Sequence, residues 1–230
     1  MIVSNKFSGW AIITAVLLYF TRMIPIITSG AQDFPPSTIA GYVDLAIVGR
    51  RGWELSHLML LASLALFFMG YVWLYAELRQ REQKTLGLLF IVTMGGALLF
   101  KAIAGVIDGF LVPAAANQLG IIAELSAEFA HAFVGFGHEA AMAFFGQGQT
   151  GNVLGIGLAS VALWRAKMLN RWLVAIGAGL SGLALLGLVV GVFGDHWQAF
   201  ETTGPALMVF NLWQLALGIA IVRHKPAGEA

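Results

Sequence analysis

Cysteine is absent from the 230 residues of this chain, which removes disulfides, thiolate-bound zinc and iron–sulfur clusters from consideration. Charge is scarce as well. Asp, Glu, Lys and Arg make up 11% of the residues, where a soluble domain carries about 25%. The formal net charge is +1, so there is no basic footprint for nucleic acid, and no nucleic-acid partner is expected. A P-loop and a Gly-x-Ser-x-Gly nucleophile elbow are also missing. Two partial motifs fail on inspection. "HEAAM" (His138–Met142) has Met142 where a zinc-protease helix needs its second histidine. "GAGLSG" (Gly177–Gly182) has dinucleotide-loop spacing but lies inside an apolar run, not after a strand.

What the chain has in quantity is apolar length. It is 59% hydrophobic, with mean hydropathy +0.82, and several runs approach the ~20 residues a helix needs to cross a bilayer. The reading is an all-α, polytopic membrane helix bundle forming one transmembrane domain over residues 1–230. About six spans are expected, near Gly9–Thr28, Trp53–Leu78, Thr85–Val112 (ending at Pro113), Thr150–Trp164, Arg171–Phe193 and Pro205–Val222. Lys6 before an apolar run and "TSGA" (Thr28–Ala31) imitate a signal peptide, but the run is read as the first span.

The basic residues orient these spans. Lys6, Arg79, Arg81, Lys84, Arg165, Lys167, Arg171, Arg223 and Lys225 fall on one side, nine of the thirteen Lys and Arg. The positive-inside rule makes that side, and both termini, cytoplasmic. A single crossing must then separate Pro113 from Arg165. Residues from about Gly120 to Phe145 are therefore read as one additional helix at the outer surface, and Gly146–Asn152 as a break before the fourth span. Trp10, Trp53, Trp164, Trp172 and Trp197 fall near span ends, as an interfacial belt would. Gly187 with Gly191, and Gly177 with Ser181, have the spacing that lets helices approach closely.

This topology gathers nine of the twelve acids and four of the five histidines on the outer side. Expulsion of bases from that side explains the acids but not the histidines. Glu124, Glu128, His131 and His138 recur at spacings that keep them on one helix face. "ELSH" (Glu54–His57) and "EFAH" (Glu128–His131) are both Glu-x-x-His, the pairing by which helical bundles hold two metal ions. Glu54, His57, Glu128, His131 and His138 are therefore the candidate ligands of a transition metal. The same histidines on facing helices could instead be axial ligands of a b-type haem. Arg22, Lys101 and Asp108 fall inside spans, where each charge costs about 2.5–3.5 kcal/mol on insertion scales and seeks a partner. Lys101 and Asp108 stand one heptad apart, so a buried polar path Arg22–Lys101–Asp108 toward the histidines is conceivable beside two plain ion pairs.

"LNRWLVAIGAGLSGLALLGLVV" (Leu169–Val190) resembles the fifth span of a bacterial membrane-protein family known as domain of unknown function 4386. In that family a basic loop leads through a Pro-Arg-Trp-Leu-Gly pattern into a Gly-rich helix. Asn170 stands here in the proline's place, while Arg171, Trp172 and Leu173 keep the pattern. "FNLWQLALGIAIVRHK" (Phe210–Lys225) is similar to that family's last span. The resemblance covers about a quarter of the chain, and implies six helices and a bacterial inner membrane without implying a chemistry. Three functions are in view. The one needing fewest assumptions is an accessory subunit or lipid- or small-molecule-binding protein, with membrane lipids and partner membrane subunits as its contacts. The others are a metalloprotein and a haem electron carrier.

Overall fold

A computed structural model describes residues 4–29, 49–115, 127–193 and 196–224, with side chains for all of these except 127–131, 188–193 and 196–207. The chain is all-α, and no strand occurs among the described residues. In order come α1 (Asn5–Thr21), α2 (Met23–Ile27), α3 (Arg50–Gln80), α4 (Lys84–Val106), a π-helical turn (Ile107–Leu111), α5 (Ala127–Ala166), α6 (Arg171–Phe193) and α7 (His196–Arg223). Among the described residues three stretches are long and apolar enough to cross a membrane: Asn5–Ile27, Arg50–Gln80 and Lys84–Ala115. Shorter apolar helices occupy Arg171–Gly187 and Met208–Arg223. Their outward faces carry Leu, Val, Phe and Trp. On α4, Leu88, Val92 and Leu99 are each at least half exposed and fall at helical spacing, a stripe suited to lipid and not to water.

Local chemistry sets the helix ends. Pro25 has no N–H to give the carbonyl four residues back, that of Thr21, and the first apolar run accordingly breaks at Arg22 between α1 and α2. The α3–α4 turn closes with Gln83 N–H donating to Leu78 O at 3.0 Å, around Glu82 at φ 64°. The α5–α6 turn repeats this device with Met168 donating to Leu163 O, around Lys167 at φ 49°. Both are left-handed helix caps made without glycine. Asn170 then caps α6: its Oδ1 accepts the Trp172 N–H at 2.8 Å.

Two expected breaks are absent. The fourth span does not start after a Gly/Gln interruption, because α5 runs unbroken from Ala127 to Ala166, joining the expected outer helix to that span. Its glycines serve packing instead. A methyl on Gly151 would lie 2.9 Å from Ala97 Cβ, and one on Gly155 would run into Met94. In a lipid setting the backbone must satisfy its own polar groups, so small residues bring helices together without ending them. Pro113 likewise does not end the third span: helical structure continues through 112–115, for a reason given below. The small-residue pairs divide. Gly177 packs against Trp213 and Ser160, and Ser181 against the Gly157 position. A methyl at Gly187 would meet nothing within 4 Å, and the side of its partner Gly191 lies outside the description.

Cα packing separates two compact units. The first comprises Met1–Val16, Ala65–Leu98 and Gly148–Ala230. Its core holds Ile12, Val16, Leu74, Leu78, Phe90, Met94, Ile156, Leu163, Leu217 and Ile221. Tyr71 lies there between Phe67 and Phe90 and accepts the Gln214 Nε2–H at 2.8 Å. α6 and α7 pack together, tied by the Trp213 indole N–H donating to Leu173 O at 2.8 Å. Near the expected cytoplasmic end, Arg81 donates to both Glu77 (3.2 Å) and His224 Nε2 (3.3 Å), while Asn5 donates to the His224 carbonyl. The second unit comprises Leu17–Leu64 and Leu99–Gln147, around Ile26, Trp53, Val112 and Val134 with Met23 and Ile107 against them.

Candidate functional site

The second unit contains a buried Asp clasped by two histidines from different helices. Asp108 lies in the π-turn of Ile107–Leu111. One carboxylate oxygen is 3.0 Å from His138 Nδ1 of α5, and the other is 3.4 Å from His57 Nε2 of α3. The Asp108 and His57 side chains are 7% and 6% exposed, that of His138 33%. The first pair is at hydrogen-bond distance, with the His138 N–H donating; the second is a looser contact.

The π-turn has a local cause. In an α-helix the Val112 N–H would bond to Asp108 O, but here it bonds to Ile107 O, five residues back. The next donor along is Pro113, which has none. The Asp108 carbonyl is thereby released from the main-chain ladder, and the Trp53 indole N–H donates to it at 2.7 Å. Pro113 follows the π-turn without ending the helix, because the carbonyl its missing N–H would have met, that of Asp108, takes the Trp53 indole N–H instead. Trp53 is accordingly 7% exposed and is not part of the interfacial belt that its place near a span end predicts. Trp10, Trp164 and Trp172 are more than half exposed, as a belt requires.

Trp53 also orients its neighbour. The His57 Nδ1–H donates to Trp53 O at 2.9 Å, since a carbonyl can only accept. This fixes the tautomer and leaves Nε2 as the nitrogen facing Asp108. The two rings lie 4.7 Å apart. Gly109 makes the approach possible: a methyl there would drive into the Cβ and Cγ of His57. With Nδ1 committed, Nε2 lies 3.4 Å from Asp108 Oδ2, beyond hydrogen-bond range. His138 connects that carboxyl to a ring that is one-third exposed. The arrangement is a buried carboxylate bonded to one partly exposed imidazole, with a second, buried imidazole 3.4 Å from its other oxygen.

The expected ligands are thus partly regrouped. His57 and His138 meet through Asp108, which the charge pattern marks as buried polar and not as a ligand. Glu54, the partner of His57 in Glu-x-x-His, turns away and pairs with Arg50 at 2.7 Å. The side chains of Glu128 and His131, and all of Glu124, lie outside the described residues. Among the described residues no group of three His, Asp or Glu is arranged to hold a metal ion. The carboxylate stands between the rings, and a metal or haem bond at His57 would require Nε2 to leave Asp108.

Lys101 and Asp108 do not form the ion pair that their heptad spacing suggests. Lys101 Nζ instead lies 5.8 Å from the Phe145 ring centroid, and the Arg22 guanidinium lies 4.8 Å from that of Tyr19. No protein-family model, curated protein or solved structure matches the chain.

Proposed function

We propose that this is a multi-pass protein of the bacterial cell membrane, both termini cytoplasmic, that binds a lipid, small molecule or partner subunit through its outward-facing His57–Asp108–His138 cluster. The likeness of Leu169–Val190 and Phe210–Lys225 to the spans of domain of unknown function 4386 agrees with this placement. The supporting observation is Asp108 itself, a buried carboxylate on a π-turn held between two imidazoles. Ionisable groups within apolar spans are costly and mark functional sites, and π-turns are frequent at such sites. The exposed edge of His138 offers a ligand its approach.

The test is ligand-dependent stabilisation of the purified protein in detergent, screened over lipids and polar small molecules. At least one compound should raise the unfolding midpoint of the wild type and not that of His138→Ala. If His138→Ala responds to every compound as the wild type does, the cluster is not the binding site. The same sample's metal content and visible spectrum decide the other classes. About one equivalent of transition metal lost in Asp108→Asn, or a Soret band, replaces the proposal with a metalloprotein or haem protein.

A further inference from the structure

Two turns on the side expected in the cytoplasm are built alike but charged differently. The left-handed residue of the α3–α4 turn is Glu82, and that of the α5–α6 turn is Lys167. In the first, Arg79, Arg81 and Lys84 are accompanied by two acids, Glu77 and Glu82. Arg81 is committed within the protein, to Glu77 and His224. The α5–α6 turn carries Arg165, Lys167 and Arg171 and no acid, since none occurs in the sequence between Glu139 and Asp195. All three of its bases are exposed. Among the described residues none of them forms an ion pair.

Main-chain bonds fix this turn. Lys167 N–H donates to Trp164 O at 3.2 Å and Met168 N–H to Leu163 O at 3.4 Å. Met168 is buried, which seats the turn on the core, and Asn170 Oδ1 accepts the Trp172 N–H at 2.8 Å. Two indoles bracket the bases: Trp164 is 56% exposed and Trp172 67%. The Arg171 guanidinium lies 5.7 Å from the Trp172 ring centroid. Exposed indoles at span ends settle at the headgroup layer of a bilayer. Arg165 and Arg171, each next to one of them in the chain, are thereby set at the depth of the lipid phosphates. The planar fork of arginine suits phosphate oxygens, and each base near an anionic membrane surface strengthens binding about fivefold. A free phosphate would engage the bases and leave both indoles unused, whereas a phospholipid engages both.

We infer that the α5–α6 turn is a docking site for an anionic phospholipid, its phosphate on Arg165, Lys167 and Arg171 and its glycerol and upper chains beside Trp164 and Trp172. The inference rests on the reading that the chain spans a membrane, and is independent of what binds at His138. To test it, the wild type in an uncharged maltoside detergent is titrated with phosphatidylglycerol or with zwitterionic phosphatidylcholine, and bound copies are counted by native mass spectrometry. Phosphatidylglycerol should bind about tenfold more tightly or better. Arg165→Gln, Lys167→Gln and Arg171→Gln should each weaken it about fivefold and leave phosphatidylcholine unchanged. Arg79→Gln and Lys84→Gln, at exposed positions of the other turn, should bind as the wild type does. Phosphatidylglycerol brominated on its chains should quench tryptophan fluorescence more than equally brominated phosphatidylcholine, and replacing Trp164 and Trp172 together by Phe should remove the excess. Equal binding of the two lipids by the wild type, losses as large at Arg79 and Lys84 as in the α5–α6 turn, or glycerol phosphate binding as tightly as the whole lipid overturns the inference. A chain that does not insert into phosphatidylcholine vesicles overturns the membrane reading itself, and the inference with it.

Discussion

Replacing Trp53 by Phe tests whether the π-turn releases the Asp108 carbonyl in the way its hydrogen bonds indicate. The indole N–H donates to that oxygen at 2.7 Å, and Val112 has turned to Ile107 O. Phe keeps an aromatic ring but has no donor, so a buried carbonyl loses its bond at a cost of about 1–3 kcal/mol. The smaller ring adds a packing loss, which a double-mutant cycle removes. The second change is Pro113→Ala, which restores an N–H in the register able to reach Asp108 O. Trp53→Phe should therefore cost less in the Pro113→Ala background, by about 1–2 kcal/mol of the lost hydrogen bond. For a chain of this size each kcal/mol corresponds to about 2–4 °C in unfolding midpoint, so thermal unfolding of the four proteins in one detergent resolves the difference. Equal costs of Trp53→Phe in both backgrounds would refute the account, because Pro113 would then have no part in freeing that carbonyl.

Gly109→Ala places a methyl against the His57 Cβ and Cγ; overpacking of this kind should destabilise by about 1–3 kcal/mol, seen as a lower midpoint in the same unfolding assay. Gly146→Ala tests the continuity of α5. Nothing lies within 4 Å of the added methyl, so a continuous helix should gain about 0.5–1 kcal/mol, whereas a break there would give no gain. The opposite result is expected of Gly9→Ala, whose methyl would lie 2.7 Å from Gly218 O and 2.8 Å from Val222 N, backbone atoms that cannot step aside. His224 supplies a pH dependence. Burial first, then the Arg81 guanidinium, hold its imidazole below the usual 6.5, against the pull of Glu77. The unfolded chain then binds this proton more readily than the folded one, so stability should be fully present above pH 6.5 and fall as pH drops through that value toward the folded pKa. His224→Gln should flatten that part of a stability–pH curve; an unchanged slope would remove His224 as its source.

The helical architecture was legible because it depends on composition and run length, which need no partner. Arg50–Gln80 and Lys84–Ala115 stand where the apolar runs place them. Glycine and proline misled wherever their meaning depended on a neighbour. Gly146–Asn152 reads as a break in isolation, yet Gly151 and Gly155 receive Ala97 and Met94 from α4. Pro113 reads as a terminator by the rule for an α-helix, but the register around it is π. Asn170 shows the opposite case: it needs no neighbouring helix, because its own Oδ1 caps the start of α6.

The site was half legible, and the missing half has a physical explanation. Sequence spacing detects residues that share a helix face, so it grouped Glu54 with His57 and Lys101 with Asp108. Contact across helices is decided by what lies between the chains, and there the informative residues are the small and the donor-poor ones. "IDGFLVP" (Ile107–Pro113) holds an acid, a glycine beside it, and a proline five residues after the acid, all within an apolar run. The proline removes the donor the acid's carbonyl would use in a π register, the glycine opens the surface next to it, and the carboxylate must then find partners on another helix. Trp53 and His57, four residues apart on α3, supply an indole donor to that carbonyl and an imidazole to that carboxylate. The pattern ties the ligands of Asp108 to the defect in its own helix: without the displaced register Trp53 would have no carbonyl to hold, and with a side chain at Gly109 His57 could not come near.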